Sequence, residues 1–170
     1  MKTFLISDTH FNHENIIKYC NRPFENTTQM NETIIKNWNE VVSKDDIVYH
    51  LGDFGFGSFE IIKEIYDKLN GKKHLIMGNH DYRYGKNFFL RVGFEEVEKK
   101  EIKIENIILS HYPKIVEDGY INIYGHIHDK PPSPDFDDDK HYCISLEKTN
   151  YYPVQIIEIL QKIKKENVKI

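Results

Sequence analysis

Asp46-Ile47-Val48-Tyr49-His50-Leu51-Gly52-Asp53-Phe54 is the stretch of sequence that decides the fold. Ile47 and Val48 are apolar residues that favour a β-strand, and Gly52 permits a sharp turn at the end of the run. The carboxylate of Asp53 is therefore predicted to lie at the C-terminal mouth of a buried strand, where α/β proteins form ligand sites. Because a single acid in this position can also cap a helix or a turn, its neighbours decide the interpretation.

Two further strands flank this stretch, and amphipathic helices separate the three. Phe4 to Ser7 comes before it and His74 to Met77 comes after it. One helix is predicted from Gln29 to Val42 with Thr28 as its N-cap, and another begins after Ser58. A β-α-β-α-β series of this kind requires a parallel sheet with right-handed crossovers.

The pattern changes after Gly93. Alternating apolar residues between Ile102 and Leu109, joined by the turn-like Glu105-Asn106, predict antiparallel strands, and a helix with apolar residues Ile156, Ile157, Leu160 and Ile163 closes the chain. The expected fold is α/β (α+β): a four-layer α-β-β-α sandwich of two mixed sheets, one largely parallel and one more antiparallel. We expect residues 1–170 to form a single domain in which the Pro-rich and Asp-rich segment 130–141 is a mobile loop.

Bulk composition narrows the class of protein. Apolar residues make up 39% and charged residues 29% of the 170 residues, a globular rather than a disordered composition. Cys20 and Cys143 are too few for a disulfide framework, and no apolar run reaches the length of a membrane span, so we expect a cytoplasmic protein without membrane contact. The net charge of −4 supplies no global field for nucleic acid, so any phosphate affinity must come from a local site.

Polar side chains follow five of the predicted strands. These side chains are Asp8, His10, Asp53, Asn79, His80, His111, His126 and His128. Each one alone has an ordinary explanation, but their joint recurrence at strand ends indicates a metal site. Imidazole, carboxylate and amide ligands suit Mn, Fe, Zn or Ni, and the lack of cysteine ligands argues against a structural zinc site. Eight candidates exceed the needs of one ion, so we predict two divalent ions that share a carboxylate, an arrangement used for displacement at phosphate esters.

The order of these motifs resembles the calcineurin-like metallophosphoesterase superfamily. The motifs are Asp8-Thr9-His10, Gly52-Asp53, Gly78-Asn79-His80-Asp81, His111 and Gly125-His126-Ile127-His128. The resemblance spans Phe4 to His128 and is greatest to small capless phosphoesterases of bacteria and phages, in which Phe-x-His follows the first motif as Phe11-Asn12-His13 does here.

This resemblance implies a role for each motif residue. Asp8, His10 and His128 would hold one ion, Asn79, His111 and His126 the other, and Asp53 would bridge the two. His80 would face the substrate and stabilise or protonate the leaving oxygen, oriented by an acid such as Asp81. A hydroxide held between two transition-metal ions, with manganese the first choice, would attack phosphorus.

The substrate is narrowed by what the sequence lacks. Protein phosphatases of this superfamily follow the bridging acid with Asp-Arg-Gly, whereas Phe54-Gly55-Phe56-Gly57 stands here, and repair-type nucleases carry an added domain. The acidic residues from Asp135 to Asp139 would repel duplex nucleic acid. We therefore expect a phosphodiesterase for a small phosphodiester or nucleotide, with tentative phosphate contacts from His13, Arg22 and Arg83. The alternatives are a phosphomonoesterase or nuclease on the same centre, or a catalytically silent metal-binding scaffold.

Overall fold

The computed structural model describes residues 1–136 and 138–166, with side chains up to residue 163. Five strands form the first sheet: β1 (Thr3–Ile6), β2 (Ile47–His50), β3 (Lys72–Ile76), β4 (Glu96–Glu98) and β9 (Val154–Gln155). Their order is β4-β3-β2-β1-β9, and all pairs are parallel except that of β1 with β9. The parallel β-α-β-α-β series predicted from the sequence is confirmed.

Four strands form the second sheet: β5 (Glu101–Ile104), β6 (Ile107–Ser110), β7 (Ile121–Tyr124) and β8 (His141–Cys143). β5 and β6 are antiparallel, as predicted, and Glu105 in the turn between them has φ 52°. The pairs β6–β7 and β7–β8 are parallel, so this sheet is less antiparallel than expected. Alternation of apolar residues shows which face of a strand is buried but not the direction of its neighbour, and the long connections after β6 and β7 allow crossovers.

Five α-helices accompany the sheets: α1 (Glu14–Tyr19), α2 (Thr27–Val41), α3 (Phe59–Lys68), α4 (Lys86–Val92) and α5 (Ile156–Glu166). α2 begins earlier than predicted, because the side chain of Asn26, not that of Thr28, accepts the cap hydrogen bond from the N–H of Gln29. The predicted cap at Ser58 is confirmed for α3, where its side chain accepts from the N–H of Ile61. Among the described residues, no helix is both long and apolar enough to cross a membrane.

Two apolar clusters stabilise the fold. Phe4 and Ile6 of β1 pack with α2 and α3 in the first cluster, while Leu5, which points to the opposite face, packs between the two sheets in the second. Ile159 and Ile163 of α5 also belong to this second cluster. Ile157 of α5 is 50% exposed, so not every apolar residue of this helix contributes to the core.

The fold class is therefore confirmed as two mixed sheets with flanking helices. A further detail concerns the second sheet: between β6 and β8 the described residues contain a 3₁₀-helix (Pro134–Phe136) and loops rather than an α-helix. The segment expected to be mobile, 130–141, includes this 3₁₀-helix and also residue 137, which lies outside the described residues.

Candidate metal centre

The loops that follow β1, β2, β3, β6 and β7 meet at one rim of the two sheets. The N–H of Asp8 donates to the carbonyl of Gly52 (2.9 Å), and the N–H of His126 donates to Asp8 Oδ2 (2.9 Å). Since strands from both sheets deliver their C-terminal ends here, side chains from distant parts of the sequence come within contact distance.

Two groups of side chains at this rim consist entirely of residues predicted as ligands, each with its ligand atoms within 4.8 Å of one another. They are Asp8, His10 and His128 in the first group, and Asp53, His111 and His126 in the second. Oδ1 of Asn79 lies 3.1 Å from Nε2 of His111 and thus adjoins the second group. The structure brings together all seven residues that the sequence motifs proposed as ligands.

Asp53 is a member of the second group and also adjoins the first. Its Oδ2 is 3.5 Å from Nε2 of His10 in the first group and 3.5 Å from Nε2 of His111 in the second. Its Oδ1 accepts a hydrogen bond from the N–H of His80 (2.9 Å), which holds the carboxylate in this orientation. A carboxylate in this position can be shared by two ions.

Three of the imidazoles are oriented by bonds to Nδ1, so that Nε2 of each remains for a metal. Nδ1 of His111 donates to the carbonyl of Leu51 (2.8 Å), Nδ1 of His128 lies 3.0 Å from Oε1 of Glu147, and Nδ1 of His10 lies 3.1 Å from Nδ1 of His13. Partners of this kind fix the tautomer of metal-binding histidines.

An unpartnered nitrogen shows that the site suits a cation. Nε2 of His10 is buried and has no hydrogen-bond partner among the described residues. A buried polar atom left without a partner costs free energy, and such atoms are rare in native proteins. Because this nitrogen lies beside the carboxylates of Asp8 and Asp53, a divalent ion would satisfy it and offset their charge.

Backbone strain is concentrated in the same residues. Five candidate ligands have left-handed φ values: Asp8 (60°), His10 (48°), Asp53 (59°), His126 (70°) and His128 (54°). A non-glycine residue in this region costs on the order of 1–3 kcal/mol, and such residues cluster at functional sites. Gly78 packs directly against this site, since a Cβ at this position would overlap Oδ1 of Asp53.

Without metal, the electrostatics of the site favour the neutral form of most of its imidazoles and disfavour the ionised form of Asp53. Burial, followed by the charges of Asp81 and Asp8, raises the pKa of Asp53 to about 8. Burial lowers the pKa of His10 and His111 and, with His111 as neighbour, lowers that of His126 to about 4. A bound cation would stabilise the ionised form of Asp53 and so lower its pKa, and it would bind imidazoles that are already neutral.

His128 behaves differently from the other imidazoles. Burial acts to lower its pKa, but hydrogen bonds with Cys20 and Glu147 outweigh this and raise the pKa to about 10. A metal ion at the first group therefore competes with a proton on His128, because imidazole binds metals in its neutral form.

Comparison with known proteins identifies the family. The model of the calcineurin-like phosphoesterase family matches residues 1–169. The chain belongs to the calcineurin-like phosphoesterases. It is 45% identical to an uncharacterized protein of Methanocaldococcus jannaschii over 98% of this chain and 94% of that protein, and 29% identical to the Gene 66 protein of Mycobacterium phage L5 over 74% and 77%.

Solved structures agree with the fold of this phosphoesterase. A protein of unknown function from Aquifex aeolicus has a TM-score of 0.74 and 30% sequence identity, covering 95% of this chain and 98% of that one. A nuclease from Pseudomonas putida has a TM-score of 0.50 and 19% identity, covering 74% of this chain and 60% of that one, and shows a shared fold only.

Asp81 lies beneath the metal centre of the phosphoesterase rather than beside His80. Its Oδ2 accepts from the N–H of Asp53 (2.7 Å) and of Gly78 (2.9 Å), and its Oδ1 accepts from the N–H of Phe54 (3.0 Å). The expectation that Asp81 orients His80 is therefore corrected: this fully buried carboxylate holds the backbone around Asp53.

Arg22 also lies below the site rather than on the substrate side. The side chain is buried, and its guanidinium donates to the carbonyls of Asp8 (2.7 Å) and Thr9 (3.0 Å) and to Oε1 of Glu147 (2.9 Å). The tentative assignment as a phosphate contact is corrected, because these three acceptors occupy the donors that a phosphate would need.

Glu147 is a site residue that no sequence motif predicted. Its Oε1 pairs with Arg22 (2.8 Å) and with Nδ1 of His128 (3.0 Å), and so links the first motif to the last. Glu147 follows the predicted strand Tyr142 to Leu146, as Asp53 follows its own strand, but no recognised motif contains it.

The remaining predicted contacts surround Phe56. His13 and His80 lie 4.3 Å and 5.3 Å from the ring of Phe56, measured between ring centroids, and the guanidinium of Arg83 lies 5.7 Å from it. Arg83 is exposed, and His13 and His80 are half-buried. His13 and His80 line the same cleft as His10 and Asp53, whereas Arg83 does not line it.

Proposed function

We propose that the protein is a metal-dependent phosphodiesterase that hydrolyses a small phosphodiester or nucleotide on two divalent ions, with manganese as the first choice. The observation that carries the proposal is the position of Asp53, whose Oδ2 lies 3.5 Å from Nε2 of His111 in its own ligand group and 3.5 Å from the buried, unpartnered Nε2 of His10 in the other group. Two bound cations would supply a nucleophile by lowering the pKa of a water and would neutralise the charge of the phosphate.

The shape and charge of the cleft support a phosphodiester as the substrate. A cleft of about 480 Å³ passes over both ligand groups and continues beyond them to α1, which leaves room for an ester arm next to the phosphate. Its lining includes Lys130 and only one carboxylate, that of Asp53, so an anionic ester is not repelled. The larger groove, of about 650 Å³, contains none of the predicted site residues.

His80 is the residue proposed to act on the leaving group. Its backbone N–H is held by Asp53, and its half-buried ring lies 5.2 Å from the ring of His10. Burial, with His111 and His128 as neighbours, lowers its pKa, so the ring is neutral at pH 7. A neutral imidazole can donate one N–H hydrogen bond to the leaving oxygen as negative charge develops there.

Substrate preference is the first test. In the presence of Mn²⁺, we expect kcat/KM for bis-p-nitrophenyl phosphate to exceed that for p-nitrophenyl phosphate by about tenfold or more, because the cleft accommodates a second ester arm. The same assay with 2′,3′- and 3′,5′-cyclic nucleotides and a single-stranded oligonucleotide, before and after removal of metal with EDTA, separates the alternatives. A clear preference for monoesters would reject the diesterase, and a preference for the oligonucleotide would favour a nuclease.

A second prediction concerns the buried pair of Arg22 and Glu147, which we propose positions His128. Glu147→Gln is expected to weaken binding of the ion held by the first group by about 10- to 100-fold, because His128 loses the charged partner that orients its ring, and this loss outweighs the reduced competition from a proton. The ion of the second group should bind as before. Equilibrium dialysis against Mn²⁺ measures both affinities.

The control for this variant is Glu96→Gln, which removes a carboxylate 3.2 Å from Nδ1 of His74 at an exposed site distant from the centre. Since breaking a buried ion pair also costs about 3–5 kcal/mol of stability, binding is measured at a temperature where both variants remain folded. Equal weakening of the two ions would show a general loss of structure and contradict the positioning role.

A further inference from the structure

The cleft extends past the metal ligands along α1. Its wall there consists of Asn15, Ile16, Tyr19 and Cys20, and Lys130 stands in the same lining. Of these five residues, Cys20 contacts a predicted ligand through a hydrogen bond with His128, and none of the other four is assigned to the metal ions or to His80. They form a subsite beside the centre, which we call the α1 wall.

The α1 wall combines an apolar base with an exposed aromatic ring. Ile16 and Cys20 are buried, at 4% and 8% exposure, whereas Tyr19 is 72% exposed and forms no hydrogen bond or ring contact in the part of the chain that the structure describes. The ring of Tyr19 is therefore free to stack against a flat ligand, and the exposed amide of Asn15, one helical turn earlier, can bond to a polar edge.

The position of this wall is determined by the metal site itself. Arg22 follows Tyr19 closely in sequence, its N–H donates to the carbonyl of Ile17 (2.9 Å), and its guanidinium donates to the carbonyls of Asp8 and Thr9. α1 is thereby held at a constant distance from the first ligand group. A ligand bound to the wall would be aligned with the metal centre at little cost in conformational freedom.

Charge on this side of the cleft favours an anionic ligand. Lys130 lies two residues after His128, and its side chain lines the cleft. No ion pair of the Lys130 ammonium group occurs among residues 1–136 and 138–163. The group is available for a phosphate oxygen.

We propose that the α1 wall binds the nucleoside arm of a nucleotide diester, with the base stacked on Tyr19, the base edge or ribose bonded to Asn15, and a phosphate oxygen bonded to Lys130. This inference rests on the proposed diesterase function and names its substrate class. Water adds its oxygen to phosphorus, the P–O bond to the other alcohol breaks, and that alcohol leaves with a proton. The nucleoside monophosphate remains on the wall as the second product.

The test compares two diesters with the same leaving group, thymidine 5′-(p-nitrophenyl phosphate) and methyl p-nitrophenyl phosphate. The wild type is expected to favour the nucleoside ester, and Tyr19→Ala should reduce the ratio of the two kcat/KM values by about 5- to 150-fold, the range for loss of one base–aromatic stack. Tyr19→Phe should retain the ratio, since it keeps the ring.

Tyr120→Ala is the matched control, because Tyr120 is also an exposed tyrosine but lies at the separate large groove. An unchanged ratio in Tyr19→Ala, or a ratio that falls equally in Tyr120→Ala, would overturn the proposal. Titration calorimetry with thymidine 5′-monophosphate and with inorganic phosphate, in the presence of Mn²⁺, requires no turnover. If no ester is hydrolysed but the nucleotide still binds more tightly than phosphate in a Tyr19-dependent manner, the diesterase function fails while the nucleoside site stands.

Discussion

Asp53→Asn is expected to remove the shared ligand and to lower kcat/KM for a phosphodiester by about a thousandfold or more, which corresponds to several kcal/mol of lost charge stabilisation. Oδ2 of Asp53 is 3.5 Å from Nε2 of both His10 and His111, whereas an asparagine has one oxygen and no negative charge to offer two cations. Binding of Mn²⁺ should fall from two ions per chain to one or none.

The same substitution is expected to stabilise the metal-free protein. Burial and the neighbouring acids raise the pKa of Asp53 to about 8, above the value near 4 of an unfolded chain, so the folded state binds more protons between these values. The contribution of Asp53 to the free energy of unfolding of the metal-free wild type therefore decreases as pH rises from about 4 to 8. The asparagine variant does not titrate at this position and escapes that loss, so it should melt at a higher temperature than the wild type at pH 8.

Mn²⁺ titration, diester kinetics and thermal melts of EDTA-treated protein at pH 5 and pH 8 measure these effects. Asp46→Asn is the matched control, since Asp46 is a buried acid of the same stretch whose oxygens accept from the N–H groups of Lys2 and Ser43. Backbone hydrogen bonds lower the pKa of Asp46, so its loss should destabilise the fold and leave metal binding unchanged. Retention of two ions and of turnover in Asp53→Asn would show that Asp53 is not the shared ligand.

His80→Ala is expected to lower kcat for diesters by about 10²- to 10⁴-fold while both ions remain bound, the usual effect of removing a group that acts on the leaving oxygen. The dependence on the leaving group provides a sharper measurement. Esters of poor leaving groups should lose more rate than p-nitrophenyl esters, because p-nitrophenolate needs less stabilisation as it departs.

The structure also permits a competing role for His80, that of a metal ligand. Its ring nitrogen lies within 4.8 Å of ligand atoms of His10 and Asp53, as a third possible group. Loss of one ion from His80→Ala would make His80 a ligand and contradict the leaving-group role. His74→Ala serves as control, since His74 pairs with Glu96 across the β3–β4 pair and belongs to none of the ligand groups. A wild-type protein that binds two ions and hydrolyses no ester would instead support a silent scaffold.

The local pattern of apolar and polar residues was sufficient to predict most of the secondary structure and the parallel strands of the first sheet. Phe4 and Ile6 face the helices while Leu5 faces the second sheet, so a strand buried on both faces appears as a continuous apolar run. The direction of β7 and β8 was not predictable in this way, because alternation is the same in parallel and antiparallel strands. The N-cap of α2 was placed at Thr28 rather than Asn26 because several adjacent residues there can cap a helix.

The sequence by itself determined which ligands reach the rim, because a side chain that follows directly after a buried strand is placed there by chain connectivity. Only the tertiary structure decided the roles of Arg22, Asp81 and Glu147. Arg22 and Glu147 are 125 residues apart, and the loops that hold them meet only when both sheets have formed. Whether a charged side chain points towards the substrate or bonds to the backbone beneath it depends on which acceptors packing brings within about 3 Å, and no spacing in the sequence encodes that distance.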